Sequence, residues 1–499
     1  MAISIINIAK NSLKFSSVQI VYALMSMLVT IYVATILAPE EYGTYGFLGL
    51  WLMYAGFVGL GLTSAGFREV PVLLGKGEEK EALRIQNISI TSDILYSILP
   101  FAVLLGVSFF YSEPLLKFGL IIVAVSFITN RFVNYWAGVN FLRQNFNVAA
   151  KGRLIAGIAI PLLTLACIHW LKVYALLIAP IGAAIAMGIY YWRKGPIEFR
   201  FRLDWKETHR LVKFGVVLQA GTLVYWGFRL ADRTIIASTL PLDQLGFYVY
   251  AMGFIMLVFN IPVEFGNVLQ PVLWKEAGKA ESIYEGFKDL KRIAIYITLG
   301  TAILVPVSQV VFYLIASLIT TQYASSIPIF HVLSYNLYLA SASIIPAVIL
   351  TSSIINKQSV FLLLYSIGLA LNIAFNILVI NLGYGVVGVA WVTICTQGLV
   401  TLLLYRFIRS YIFTDTNEFV RFVTRILVPF AITVPFYFIH SYLDSAISNV
   451  WTFTGISLAA QVVVWGFVIG LFYRDYLSFR DMKILAGEMR GIIMQMKRA

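Results

Sequence analysis

Apolar runs of twenty residues or more recur along the whole chain, and they decide most of what it can fold into. A helix needs about 20 apolar residues to cross roughly 30 Å of hydrocarbon. A transmembrane barrel would instead alternate polar and apolar residues in segments of roughly ten. Fourteen runs have the helical length, with cores at 15–37, 44–66, 88–110, 115–139, 154–170, 173–192, 213–238, 247–271, 293–319, 328–355, 359–380, 385–405, 423–440 and 450–473. The fifth and thirteenth are short. The composition agrees: 60% of the 499 residues are hydrophobic and only 12% charged, about half the charge of a soluble chain. The expected fold class is an all-α polytopic membrane protein with about 14 transmembrane helices, and no room is left for a folded soluble domain.

The net charge of +13 would suggest nucleic acid in a soluble protein. Here its distribution points to topology and not to a nucleic-acid partner. Alternating loops between the fourteen runs separate the 37 Lys and Arg sharply. One set of loops and flanks holds only Lys117 and Lys172. The N-terminus, the other loops and the C-terminal tail hold 32, and Arg131, Arg229 and Arg233 fall inside spans; 32 + 2 + 3 recovers all 37. The positive-inside rule then puts both termini in the cytoplasm. The first apolar run reads directly into a full span, so no cleavable signal peptide is expected. Residues 1–14, with Lys10 and Lys14, read as a short amphipathic lead-in. The tail places Met482, Leu485, Met489, Ile492 and Met496 on one helical face among basic residues, the pattern of a helix lying on an anionic leaflet.

Residues 10–78 align without gaps on 213–281, at an offset of 203. Eleven of the 69 positions are identical, among them Gly43/Gly246, Tyr45/Tyr248 and Met53/Met256. The outer loops PEEYGTY and LDQLGFY coincide, as do the inner GKGE and GKAE. The offset covers six spans, an even number, so both copies share one orientation. The expectation is two six-helix bundles related by an axis along the membrane normal, plus two extra C-terminal helices. The expected organisation is residues 1–192 for the N-terminal bundle, 193–212 for a cytoplasmic linker and 213–405 for the C-terminal bundle. Residues 406–473 then hold helices 13 and 14, and 474–499 form the cytoplasmic tail.

Ionisable groups inside hydrocarbon face a cavity or a partner. The seventh span carries Gln219, Thr222, Trp226, Arg229 and Arg233 at helical spacing, with Asp232 three residues from Arg229. Guanidinium forks match phosphate oxygens, so Arg229 and Arg233 are candidates for an anionic cargo group. The alternatives are that Asp232 pairs with Arg229 and that Arg233 snorkels outward. The fourth span adds Asn130, Arg131, Asn134 and Tyr135. In the eighth span Asn260, Glu264, Asn267 and Gln270 lie near one face. Glu264 and Asp232 are the candidate ion-coupling residues; each could equally be structural. Cys167 and Cys395 lie in different spans, and His169, His209, His331 and His440 show no metal-ligand spacing. No phosphate-binding loop with Lys-Ser/Thr is present. No cofactor, no metal and no enzymatic role are expected.

Three segments resemble the polysaccharide transporter family: LAPEEYGTYGF (37–47), ADRTIIASTLPLDQLGFYVYA (231–251) and NLGYGVVGVAWVT (381–393). These are the Wzx-type flippases of lipid-linked oligosaccharides, in the superfamily that also holds MATE drug exporters and the lipid II flippase. The most telling motif is Asp232-Arg233 followed by Leu245-Gly246 and Tyr248. The resemblance implies a MATE-like arrangement of the two bundles around a central cationic cavity. It implies transfer of undecaprenyl-diphosphate-linked repeat units from the inner to the outer leaflet of the cytoplasmic membrane by alternating access, with coupling to H+ or Na+. Arg229, Arg233 and Arg131, helped by Gln219 and Asn134, would receive the diphosphate or acidic sugars. Membrane lipids, a polysaccharide polymerase and a chain-length regulator are the further partners implied. The main alternative is a cation-coupled MATE-like exporter of drugs or metabolites. It would favour an acidic, aromatic cavity, against the excess of Arg over carboxylates inside these spans. A sugar polymerase or ligase would carry a large outer loop, and a scaffold would have little use for buried arginines.

Overall fold

In the computed structural model, the described residues are 25–473, apart from 59–60, 144, 196–198, 280–283, 285–286, 288–289, 353 and 448. Among them the chain is helical throughout, with only short turns between. In hydrocarbon the backbone has no water to bond, and a helix satisfies its polar groups internally. The helices are α1 (Met25–Ile36), α2 (Pro39–Phe57), α3 (Leu62–Gly75), α4 (Glu79–Ser108), α5 (Pro114–Leu142), α6 (Phe146–Leu171), α7 (Val173–Lys194), α8 (Trp205–Thr239) and α9 (Leu242–Lys279). They continue with α10 (Leu290–Leu318), α11 (Ser326–Ala342), α12 (Ile344–Thr351), α13 (Gln358–Asn381), α14 (Gly385–Ile412), α15 (Thr416–Ala446) and α16 (Val450–Phe472). Eleven described helical segments, or twelve if the bent α8 counts as one, are long and apolar enough to cross a membrane. The protein is a multi-pass membrane protein.

The two short runs are full-length helices, α6 and α15. Two other runs are not the straight spans they were expected to be. The run 44–66 divides into α2 and α3, because Gly61 takes φ +71° and lies against α8. A Cβ on Gly61 would stand 2.1 Å from the Gly215 carbonyl oxygen. The left-handed backbone and the close approach both call for glycine. The run 213–238 belongs to α8, which begins earlier, at Trp205, and bends by 46° between Gly221 and Leu223. The first half of α8 leans on α3 and α4; its second half packs against α13 and α2.

Residues 199–210 dock on a polar face of α4. Asn87 Oδ1 accepts the Arg200 N–H at 3.1 Å, Thr91 Oγ1 accepts the Arg202 N–H at 3.1 Å, and the Ser92 and Thr208 hydroxyls share a bond of 2.7 Å. The linker is thereby bound to the first bundle, and this accounts for a buried polar run (Gln86 to Asp93) in a membrane helix. Two ion pairs fasten the same junction: Arg84 to Asp204 at 2.9 Å and Arg210 to Glu69 at 2.7 Å. Asp204 also caps α8 by accepting the Glu207 N–H at 3.1 Å.

The opposite end is closed by the crossing of α2 and α9. Buried tyrosines fill that seam: Tyr250 lies 4.4 Å from Tyr323, ring centre to ring centre, and Tyr42 meets both edge-on. Tyr323 donates to the Leu37 carbonyl at 2.9 Å, and Gln322 donates to those of Ala34 and Leu37. The two added helices, α15 and α16, pack against α10 on the outside of the second bundle. The lead-in and the tail from 474 lie outside the described residues.

Candidate functional site

A cleft of about 430 Å³ lies between the bundles. The ends of α2 and α3 contribute Met53, Phe57, Thr63 and Phe67, α5 contributes Arg131, Asn134 and Tyr135, and α8 contributes Gln219 and Trp226. Three of the residues singled out in the sequence, Arg131, Asn134 and Gln219, therefore meet in one space although they come from different bundles. Arg131 does not present a free guanidinium there. Its Nε and Nη2 bond the two carboxylate oxygens of Asp93, at 2.8 Å and 2.6 Å. This is the bidentate geometry that Arg and carboxylate favour, and Asp93 itself is 2% exposed. Sequence reasoning missed Asp93. The signal was available, since a carboxylate in the apolar third span demands a cationic partner.

Arg229 faces elsewhere. Its guanidinium sits between the rings of Tyr225 and Phe259, 4.8 Å and 4.9 Å from their centres, and Nη1 lies 3.9 Å from the Met256 sulfur. Cation–π contacts of this kind hold a guanidinium without consuming its hydrogen-bond donors at the ring faces. On one side opens a cavity of about 270 Å³ within the second bundle, with Ser343, Thr351, Tyr365 and Gln397 in its wall. On the other side a space of about 30 Å³ separates Arg229 from Asp232, Asn336 and Thr393, enough for a single water-sized occupant. The expectation that Gln219, Trp226, Arg229 and Arg233 form one cationic stripe does not hold. Gln219 and Trp226, on either side of the bend in α8, line the cleft, and Arg229, three residues beyond Trp226, faces the second bundle.

Asp232 is 2% exposed and bound by three neutral donors. Tyr248 donates to Oδ2 at 2.6 Å, Thr393 to the same oxygen at 2.7 Å, and Asn376 Nδ2 to Oδ1 at 2.8 Å. Asn376 Nδ2 also reaches Asn372 Oδ1 at 3.0 Å. Asn376 Oδ1, buried beside them, has no hydrogen-bond partner among the described residues. The cage draws on α8, α9, α13 and α14; Tyr248 and Thr393 fall within the family-like segments 231–251 and 381–393, while Asn372 and Asn376 lie outside them. Asp232 is thus not simply the counter-ion of Arg229, because its oxygens are taken by this cage.

Arg233 lines none of the three cavities described here. It lies at the tyrosine seam, where it interacts electrostatically with Tyr248 and the neighbouring Asp232, and then with Tyr45 and Tyr42 of the first bundle. Its Nε is buried, so it is not snorkelling into solvent. The side chain of Glu264, together with those of Thr222, Asn267 and Gln270, lies outside the described residues. Among the described residues, no group of three or more His, Cys, Asp or Glu is placed to hold a metal.

The sequence profile of a family described as polysaccharide biosynthesis protein matches residues 32–326, more than half of the chain. Comparison with curated protein sequences returns no match. Several solved structures share the fold. The lipid II flippase MurJ in an inward closed conformation superposes with a TM-score of 0.67 at 16% identity, covering 93% of this chain and 99% of its own. An inward-facing multidrug resistance MATE family transporter of the MOP superfamily superposes at 0.60 with 13% identity, over 82% of this chain and 95% of its own. A MOP superfamily transporter from Pyrococcus furiosus, described as having a binding pocket of reverse polarity, reaches 0.52 at 14% identity, over 80% and 94%. At these identities the likeness is one of fold, and it is the MATE-like arrangement that the family resemblance implied. On the strength of a profile that spans more than half its length, the chain belongs to the polysaccharide biosynthesis protein family.

Proposed function

We propose that the protein is a flippase that moves undecaprenyl-diphosphate-linked oligosaccharide repeat units from the inner to the outer leaflet of the cytoplasmic membrane. The observation that carries this reading is Arg229. A guanidinium held between two aromatic rings, at the edge of a cavity inside a membrane bundle, is suited to a diphosphate whose lipid tail stays in the bilayer. The family membership and the likeness to a lipid II flippase support it. Bundles 1–192 and 213–405 are the units that rock, with both termini cytoplasmic. The seam of α2 with α9 and the junction of α3 and α4 with α8 would open in turn.

In this reading Asp232 is the coupling site. A buried carboxylate surrounded by oxygen and amide groups, with the Asn376 oxygen lacking a donor among the described residues, suits a small hard cation, which prefers oxygen ligands. A cation bound at Asp232 would lie near Arg229, since both residues line the ~30 Å³ space, so that cargo anion and coupling cation would sense each other's charge. The polymerase and chain-length regulator are proposed partners downstream. The test is Arg229→Ala. Surface polysaccharide is expected to disappear while the protein still reaches the membrane at normal level, and unchanged polysaccharide would refute the role.

A further inference from the structure

We propose that the cleft between the bundles is a subsite for uncharged sugar, and that the Arg131–Asp93 pair makes it discriminate against acidic glycans; this deepens the flippase reading and rests on it. Arg131 is the sole charged residue lining the cleft among the described residues. Its fork is already engaged by Asp93 through two bonds of 2.8 Å and 2.6 Å. The pair is neutral overall, so the cleft offers an anion little net attraction. A glycan carboxylate entering it would lose its hydration and find the guanidinium's best donors occupied, a costly exchange.

What remains of the lining is what a neutral sugar ring needs. Phe57, Phe67 and Trp226 supply apolar faces for the C–H side of a pyranose. Asn134 and Gln219 supply carboxamides, each with donor and acceptor atoms for hydroxyl groups. Asn134 comes from the first bundle, and Gln219 and Trp226 from the second, so a sugar bound here would bridge the two units that have to move. The volume, about 430 Å³, lies in the lower part of the roughly 300–1,000 Å³ range of small-molecule sites. It has room for a short glycan. The diphosphate is left to Arg229, which faces the separate cavity of the second bundle. A division of labour follows: charge recognition in the second bundle, sugar recognition at the junction.

The experiment measures binding to the full-length protein in nanodiscs with three probes: undecaprenyl diphosphate, the same lipid bearing a neutral hexose disaccharide, and the same lipid bearing a disaccharide with a hexuronic acid. The neutral glycolipid is expected to bind about tenfold more tightly than the acidic one, the size of one well-made polar contact. Trp226→Ala should weaken the neutral glycolipid about tenfold more than the bare lipid. Asp93→Asn frees the Arg131 fork and should invert the preference toward the acidic glycolipid. The double variant Asp93→Asn with Arg131→Gln, neutral again, should restore it. Equal binding of neutral and acidic glycolipids, or a preference unmoved by Asp93→Asn in protein that still binds the bare lipid, overturns the proposal. If the bare lipid binds and no glycan is distinguished, the subsite alone fails. If none of the three lipids binds, the flippase reading fails with it.

Discussion

Gly43 and Gly246 face each other where α2 crosses α9, each pressed against the backbone that precedes the other. A Cβ on Gly43 would stand 1.7 Å from the Leu242 carbonyl oxygen, and one on Gly246 would stand 1.9 Å from that of Pro39. The relationship is reciprocal, because Pro39 and Leu242 are related by the same offset of 203 that relates the glycines. The repeat therefore meets itself across its own axis, and the absence of a side chain lets the two backbones touch. Gly43→Ala has no flexible neighbour to displace; the helices themselves have to separate. It should destabilise the protein by about 3 kcal/mol, the upper end of the usual overpacking cost, and Gly246→Ala should do the same. The double variant should cost less than the sum, since one Cβ already forces the gap that the second needs. Thermal unfolding of the purified variants checks this, and additive losses would refute the shared contact.

The Arg131–Asp93 pair makes an asymmetric prediction. Arg131→Ala leaves a carboxylate that is 3% exposed at the side chain without its partner. The expected loss is about 3 kcal/mol, the low end of the range for breaking a buried pair, because Arg131 keeps 24% of its side chain exposed. Replacing both by apolar residues, Asp93→Leu with Arg131→Met, should cost less than Arg131→Ala alone. Chemical unfolding of the three proteins in one detergent decides it. A double variant less stable than Arg131→Ala would argue against it.

These two contacts also mark how far the sequence could be read. The Gly43/Gly246 identity was visible in the repeat, and with it the layout of two bundles, because hydropathy and charge alternation are local properties summed over long segments. The division of 44–66 at Gly61 was not visible, since it depends on Gly215 of a distant helix. The intramembrane arginines were found, but their environments were not. Arg131 is set by Asp93 on α4, Arg229 by Phe259 on α9, and Arg233 by Tyr248 on α9 and Asp232, with Tyr45 and Tyr42 of the first bundle. Helical spacing on α8 suggested one shared face for Gln219, Arg229 and Arg233. The 46° bend in that helix falls between Gln219 and the two arginines, while Arg229 and Arg233 lie on one half and differ by a turn of height and by what packs against them. Periodicity gives the angle around an axis and carries no information on where the axis turns or which neighbours each turn meets.

Asp204 gives the junction of α4 with α8 a pH dependence. The Glu207 N–H it accepts, and then the Arg84 guanidinium, hold its carboxyl below the usual carboxylate value. A group whose folded value is depressed contributes stability that is present above its unfolded value and is lost as the pH falls through the folded one. The junction should therefore be intact at neutral pH and loosen only in strong acid, below the ordinary range of an aspartate. Relative to the intrinsic exchange rate at each pH, hydrogen exchange of residues 199–210 should rise on acidification in the wild type, as a fall in protection. In Asp204→Ala exchange should be raised already at neutral pH, and its acid-induced increase should be smaller. An acid response of the same size in both proteins would show that Asp204 is not its source.

Asp232 separates a structural role from a coupling one when two variants are compared. Tyr248→Phe removes one donor to Oδ2 and leaves the carboxylate with Thr393 and Asn376. It should cost about 1 kcal/mol of stability, the net worth of one hydrogen bond, and keep transport responsive to an ion gradient. Asp232→Asn keeps the shape but removes the negative charge, and it points an amide N–H2 at groups that were donating. It should retain binding of the diphosphate lipid at Arg229 and lose the response to the gradient. The measurement is flipping of a labelled lipid-linked oligosaccharide in proteoliposomes, with a Na+ gradient or a pH gradient imposed separately. A wild type that responds to Na+ and an Asp232→Asn variant that responds to neither is the expected pair. Should the variant flip the lipid with an undiminished Na+ response, the cage around Asp232 would be structural, and the coupling ion would have to bind elsewhere.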